Sequence, residues 1–444
     1  MKFSFPHPLA ILLFFIAMAA TLTHLIPSGE YQRVIDEETG REIVVANSYQ
    51  EVDAEPIGVF ETFIKIPEGI IYGADIVVLI LIIGGAFVVV DKTGAFNQGL
   101  TALANRFQHS RYVVMALTGV TFAIAGALNN LQEEIIAMVP FLILMTDRLG
   151  YSRIAAIGIS AGTAALGAAF SPVNPFGVLI AQSIAEVTPF SGSLFRIVVM
   201  AIAVAFWIIW VIKKGKTVDE AIVYEHDSKS QLSARSAIIL LLVVATFATM
   251  VYGILIWEWD YNQMSALFFV MGITCGLIGR LGINGTSKAY AGGFQEMAFA
   301  AVIVGLARSL YLILEEGKVI DTMVYALFNP LQDLPVTVSA VGMTVSQAIL
   351  HIPVPSNSGQ AVLTMPLLSP LADLIGMSRQ VMILCYQYGA STMDMITPTN
   401  GALLAVLTAA GVSYKEWFKF AWLPLLCVIG IGLVAIMVAI MIGL

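Results

Sequence analysis

Apolar runs of about 18–20 residues follow one another along most of the chain, each long enough to cross a bilayer as a helix. The pattern predicts full spans at 8–26, 74–90, 194–212, 236–256, 262–279, 293–314 and 417–442. Two further apolar segments, 154–188 and 380–411, are interrupted in their middles. The first interruption reads Ser171-Pro172-Val173-Asn174-Pro175 and the second Thr397-Pro398-Thr399-Asn400-Gly401. Proline removes a backbone donor and clashes with the preceding turn, so each helix has to open there. An open turn in hydrocarbon leaves peptide groups unpaired unless protein or a watery cavity satisfies them.

Two other apolar segments fold back before they can cross. Residues 112–146 carry the polar tip Asn129-Asn130-Leu131-Gln132-Glu133-Glu134, and only a short apolar run follows before Asp147-Arg148. Residues 336–372 carry the tip Pro353–Gln360. Both are predicted as re-entrant hairpins whose tips reach the midplane. Between spans, Glu30–Glu55 alternates around Asp36–Gly40 and predicts a small hairpin in water. Residues 56–72 look interfacial, and 95–110 and 318–331 are amphipathic.

The chain repeats itself. With a shift of 226 and no gap, Pro140 meets Pro366, Asp147 meets Asp373, Gly150 meets Gly376 and Ser152-Arg153 meets Ser378-Arg379. In the same register Ser171-Pro172-x-Asn174 meets Thr397-Pro398-x-Asn400, and the tip Asn130–Glu134 meets Ser356–Gln360. An odd number of crossings lies between the two hairpins, so they enter from opposite faces. The expected fold is therefore an all-α polytopic membrane protein of two inverted-topology repeats, each with a re-entrant hairpin and a discontinuous helix. The repeats are 1–212 and 236–444, joined by a charged linker at 213–235. In carriers built this way the binding site lies at the repeat interface.

Composition agrees: of 444 residues, 58% are hydrophobic and 12% charged. The net charge of −8 is diffuse and argues against nucleic acid as a partner. Cys275, Cys385 and Cys427 lie in apolar segments without metal spacing. No HExxH, GxSxG or phosphate loop is present, so no enzyme and no cofactor is indicated. The first apolar run has no small-residue cleavage site and reads as a retained helix. Lys2, Arg106, Arg111, Arg148, Arg153, Lys213, Lys214, Lys216, Arg235, Arg280 and Lys288 fall on one side, which predicts a cytoplasmic N-terminus.

The candidate binding groups follow from the breaks and tips. Ser171, Asn174, Thr397, Thr399 and Asn400 at the breaks can donate and accept, as can Asn129, Asn130, Ser356, Asn357, Ser358 and Gln360 at the tips. Single residues of this set can equally serve as helix caps. Glu133, Glu134 and Asp394 are costly at that depth and can hold an ammonium, a cation or a proton. Arg308, in Gly305-Leu-Ala-Arg308, can clamp a carboxylate or pair permanently with Asp394 or a tip glutamate. His351 reads as a packed, hydrogen-bonded histidine, with a proton relay as the other reading.

The stretches Asn174-Pro-Phe-Gly-Val-Leu-Ile-Ala-Gln182, Val304-Gly-Leu-Ala-Arg308, Pro355-Ser-Asn-Ser-Gly-Gln-Ala-Val-Leu-Thr-Met-Pro366 and Ser378-Arg379-Gln380-Val381 carry a family resemblance. Together they resemble the YfcC-like branch of the DcuC family, anaerobic carriers of four-carbon dicarboxylates in the ion transporter superfamily. The resemblance implies scaffold and transport domains moving in elevator fashion, a homodimer in the bilayer, and a small-molecule substrate. By this resemblance the chain is a secondary carrier in a bacterial inner membrane. Relatives are assigned dicarboxylates or basic amino acids such as arginine and ornithine. Three acids against one arginine favour a solute with an ammonium group. A C4-dicarboxylate is the alternative, and a channel the rival of another class. The coupling ion is sodium, with a site near Asn174 or Asn400, or a proton.

Overall fold

The structure is a computed structural model, and it describes residues 7–35, 42–45, 47–96, 98–99, 102, 111–216, 232–257 and 259–444. Lys2, Arg106, the Asp36–Gly40 turn, most of the 95–110 segment and most of the 213–235 linker lie outside them. Among the described residues, seven helices are long and apolar enough to cross a membrane. They are Pro8–Leu25, Ala74–Lys92, Arg111–Leu128, Ser193–Lys214, Tyr261–Ile278, Gly282–Glu316 and Tyr414–Ile442. The chain is a multi-pass membrane protein.

One span is longer than its hydropathy implies. The expected 293–314 segment is the second half of a single helix, Gly282–Glu316, of 35 residues. At 1.5 Å per residue it is about 52 Å long, well beyond the hydrocarbon core. Its first turns are polar and read as a loop, yet Thr286, Ala289 and Tyr290 are buried there. The Tyr290 hydroxyl donates to the Phe269 carbonyl at 2.9 Å. The last span also begins earlier than expected, at Tyr414. A reciprocal cap sets that start: Ser413 N–H donates to Glu416 Oε2 at 2.9 Å and Glu416 N–H to Ser413 Oγ at 3.3 Å.

The two polar tips are turns between antiparallel helices. Helix Arg111–Asn129 returns as Glu133–Arg148, and helix Val336–Leu350 returns as Asn357–Leu374. Each return helix is followed by an interrupted one. The first runs Arg153–Ile157, a π-turn over Gly158–Gly162, and Thr163–Ala169, then resumes at Val178–Ile184. The second runs Arg379–Ala390, a 3₁₀ turn over Ser391–Met395, then resumes at Gly401–Ala410. Positions 226 apart share local geometry. Gly150 and Gly376 are both left-handed, with φ of 77° and 72°. The Tyr151 N–H reaches back to the Thr146 carbonyl, and the Met377 N–H to the Ala372 carbonyl. Ser152 and Ser378 each cap the next helix by accepting the N–H three residues on.

The broken helices run antiparallel. Arg153, at the start of the first, lies beside Gly411 at the end of the second. Arg379, at the start of the second, pairs with Glu186 just past the end of the first at 2.9 Å. On one face two short ribbons stand outside the helices: Arg33–Ile35 pairs with Glu42–Val44, and Gly29–Glu30 with Gln50–Glu51. Arg33 fixes them to Asp321 at 2.9 Å.

Candidate functional site

The second break is built around Asp394. Its carboxylate is 6% exposed yet accepts from three amides. Gln132 Nε2 and Asn357 Nδ2 each donate to Oδ2 at 2.9 Å, and Asn400 Nδ2 donates to Oδ1 at 2.7 Å. His351 Nε2 lies 2.9 Å from the same Oδ1. One side chain therefore joins the first tip, the second tip and the second break. Removing a buried carboxylate from water is costly, and this many charge-assisted bonds offset it. His351 is fully buried and hydrogen-bonded, as the sequence suggests. Asp394 is consequently not the partner of Arg308.

The first break is arranged differently. Ser171 is fully buried; its hydroxyl donates to the Ala127 carbonyl at 2.7 Å and accepts from the Val173 and Asn174 N–H groups. Asn174 Nδ2 donates to the Gly126 carbonyl at 3.1 Å, and its Oδ1 accepts from Phe176 N–H at 2.9 Å. Both side chains thus satisfy peptide groups freed where two helices open. Asn400 Oδ1 is spent likewise, on Leu403 N–H at 2.9 Å. Thr397 is buried and its hydroxyl has no hydrogen bond among the described residues, while the Thr399 hydroxyl donates to the Ile352 carbonyl. The Asn129 side chain lies outside the described residues.

Between the tips is a cavity of about 660 Å³. The first tip contributes Asn130, Gln132, Glu133 and Glu134; the second contributes Ser356, Asn357 and Ser358; Asp394 and Arg308 complete the wall. Sequence reasoning missed Trp259, Asp260 and Tyr261, which close one side from the loop before Tyr261–Ile278. Of the first break, Pro175 and Phe176 reach the cavity, but Ser171 and Asn174 do not line it. A smaller annex of about 70 Å³, lined by Glu133, Arg308, Tyr311, Ser356, Thr399 and Asn400, adjoins it. Gln360 lies behind the wall, against His351 at 2.9 Å.

Two charged groups in this cavity have capacity left for a ligand. Glu134 is 4% exposed and its Oε2 has no hydrogen bond among the described residues. Arg308 forms no hydrogen bond or ion pair with any described residue, although it lines both spaces. Its stem lies against Gly73, where an added Cβ would sit 3.3 Å from Arg308 Cγ. A second arginine, Arg196, escaped notice in the sequence because it sits near a span end. It is fully buried and held by neutral oxygens alone: Gln387 Oε1 at 3.0 Å, Ser191 O at 3.0 Å and Gln380 Oε1 at 3.1 Å.

Residues 5–441 match the family model described as the C4-dicarboxylate anaerobic carrier, DcuC. The chain is 28% identical to an uncharacterized protein of Haemophilus influenzae, covering 98% of this chain and 97% of that one. It is 29% identical to the "Putative basic amino acid antiporter YfcC" of Escherichia coli K12, over 94% of this chain and 93% of the relative. Among solved structures, the YdaH transporter of Alcanivorax borkumensis aligns over 99% of both chains with a TM-score of 0.46 and 16% identity. The match to the family model spans nearly every element described above, both tips and both breaks included, and the chain belongs to the DcuC family of membrane transporters.

Proposed function

We propose that the chain is a secondary active transporter whose solute is an amino acid with a cationic side chain, such as arginine or ornithine. The observation that carries this reading is one cavity lined by Arg308, which has no hydrogen bond or ion pair among the described residues, and by Glu134, whose Oε2 has no hydrogen bond among them. Arg308 would take the α-carboxylate through two parallel N–H···O bonds. Glu133 and Glu134 would take the ammonium or guanidinium groups. Ser356, Ser358, Asn130 and Asn357 would hold the polar remainder, with Thr399 and Asn400 bordering the annex. The name of the Escherichia coli relative points the same way.

The C4-dicarboxylate reading is favoured by the family description. It needs a second cation in the cavity, or protons on Glu133 and Glu134. A channel is less suited to a cavity closed by two opposed tips.

The two halves, 1–212 and 236–444, would form inverted repeats. The antiparallel broken helices and the matched Gly150/Gly376 and Ser152/Ser378 geometry support this. The hairpins and broken helices would move as a transport domain against a scaffold in the bacterial inner membrane, with the scaffold forming a homodimer and the N-terminus cytoplasmic. Ser171, Asn174 and Thr397 would serve by holding the breaks open rather than by touching solute.

Counterflow in proteoliposomes tests the substrate. Preloaded arginine should drive uptake of labelled arginine or ornithine, and succinate should not compete. Exchange of succinate or malate without any amino acid exchange would overturn the preference.

A further inference from the structure

We propose that His351 and Asp394 together form a proton-binding site, and that its single exchangeable proton sets the charge of the pair and whether His351 and Asp394 stay in contact. The inference rests on the transport reading for the role of its cavity, but not on which solute is carried.

The argument is one of hydrogen-bond direction. The Thr364 hydroxyl donates to the Gln360 carbonyl at 2.7 Å, so its oxygen accepts from Gln347 Nε2 at 2.9 Å. That orients the Gln347 amide so that Oε1 faces Gln360 Nε2. Gln360 Nε2 also donates to the Gln347 backbone carbonyl at 2.8 Å, which can only accept. The Gln360 amide is thereby fixed, and its Oε1 faces His351 Nδ1 at 2.9 Å. Nδ1 must carry a hydrogen. On the other side of the ring, Nε2 faces Asp394 Oδ1 at 2.9 Å, and that contact needs a hydrogen too. Whether it resides on Nε2 or on the carboxyl, the pair holds one proton beyond the neutral imidazole and the ionised carboxylate.

Loss of that proton has a defined consequence. The proton passes to cavity water, leaving a neutral ring protonated at Nδ1 and a carboxylate. Two lone pairs then face each other across the Nε2–Oδ1 gap, and the contact opens. The remaining negative charge is held by Gln132, Asn357 and Asn400. An uncompensated charge at this depth opposes movement through the lipid, whereas the protonated pair is neutral. Asp394 lines the cavity and is the route for exchange, since His351 is fully buried.

Among the described residues, the cavity lining around the pair holds no second histidine and one cation. Glu133 on the first tip and Glu134 behind it face the pair across the cavity, with Arg308 on the long helix and Asp260 at the loop. Tyr386 on Arg379–Ala390 donates to the Asn357 carbonyl at 2.6 Å, and the Tyr414 hydroxyl on the last helix donates to the Ile396 carbonyl. Among the described residues, none of these groups is a hydrogen-bond partner of the pair itself.

Two measurements test the proposal. The first needs no substrate: nitrogen NMR of histidine-labelled full-length protein in bilayers, with the His351 ring assigned by its loss in His351→Gln. As the pH is raised across the range in which the protein stays folded, Nε2 should lose its proton while Nδ1 keeps its own. Protons on both nitrogens across the whole range would mean a static ion pair and overturn the proposal. The second uses proteoliposomes and whichever of L-arginine and succinate passes counterflow. A pH gradient should drive accumulation by wild type; His351→Gln should keep counterflow within about threefold but lose the response to the gradient. Gradient-driven accumulation by His351→Gln would overturn the proposal. If that variant does not fold, Asp394→Asn replaces it in the NMR measurement alone and should abolish the pH response of the His351 ring. Failure of both solutes in wild type would count against the substrate reading, while the NMR result would still decide the proton site.

Discussion

Gln132 Nε2 donates to Asp394 Oδ2 at 2.9 Å, and this bond ties the first hairpin tip to the second helix break. The two residues are 262 apart in sequence, and their meeting brings the halves of the chain together at the cavity. Gln132→Ala should leave Asp394 with its other partners and the fold intact. Transport should fall by about tenfold or more, the size expected for one hydrogen bond to a charged group. Flux equal to wild type, with unchanged melting, would show that the link between tip and break is not needed.

Arg308 offers a clean separation of binding from stability. Its guanidinium has no hydrogen bond or ion pair among the described residues, so Arg308→Ala should shift Tm little. The apparent KM for a carboxylate-bearing solute should rise about ten- to a hundredfold, corresponding to about 1.5–3 kcal/mol for a charged hydrogen bond. Arg308→Lys should recover part of this, since a point charge cannot reproduce a two-pronged contact. A large drop in Tm with little change in KM would make the residue structural.

Glu134 should behave in the opposite sense. Its Oε2 is buried without a partner, which costs stability in the empty protein. Glu134→Gln should therefore raise Tm while lowering arginine transport. If succinate is the solute instead, the same change should leave transport equal or better. Measuring both solutes in this variant separates the two substrate readings.

The first hairpin and the first broken helix meet backbone to backbone. A Cβ on Gly126 would lie 2.0 Å from the Ala164 carbonyl oxygen, and one on Gly167 would lie 1.9 Å from that of Ala123. Small residues permit such contact between membrane helices, and no side-chain rotation relieves the clash. Gly126→Val and Gly167→Val should each destabilise by about 1–3 kcal/mol or more and reduce the yield of folded protein. Gly430→Ala, at an open position, should be neutral in the same assay.

Much of this architecture was legible in the chain. Proline set among polar residues inside an apolar run located each break, at Pro172 and at Pro398, where a backbone donor is lost and side chains stand ready to satisfy the freed peptide groups. The turns between helices at the two polar tips, Asn129–Glu134 and Pro353–Gln360, were legible as well. The helix Gly282–Glu316 was underestimated because hydropathy marks depth in lipid, not helix length. Its first turns are helical through packing against Phe269 and Gly85 rather than through apolar composition.

The sequence by itself determined which residues are too polar for the bilayer, and so which had to be gathered into a shared interior. Only the tertiary structure decided what each one does there. Ser171 and Asn174 match Thr397 and Asn400 by position, yet the first pair closes on carbonyls of a neighbouring helix while Asn400 turns to a carboxylate. Asp394 and Arg308 are opposite charges in one cavity, yet Asp394 is taken by His351 and Arg308 is left open. Side chains of the same type at the same depth have similar hydration costs, so composition cannot rank them. The partner within about 3 Å decides, and that is fixed by how distant helices cross.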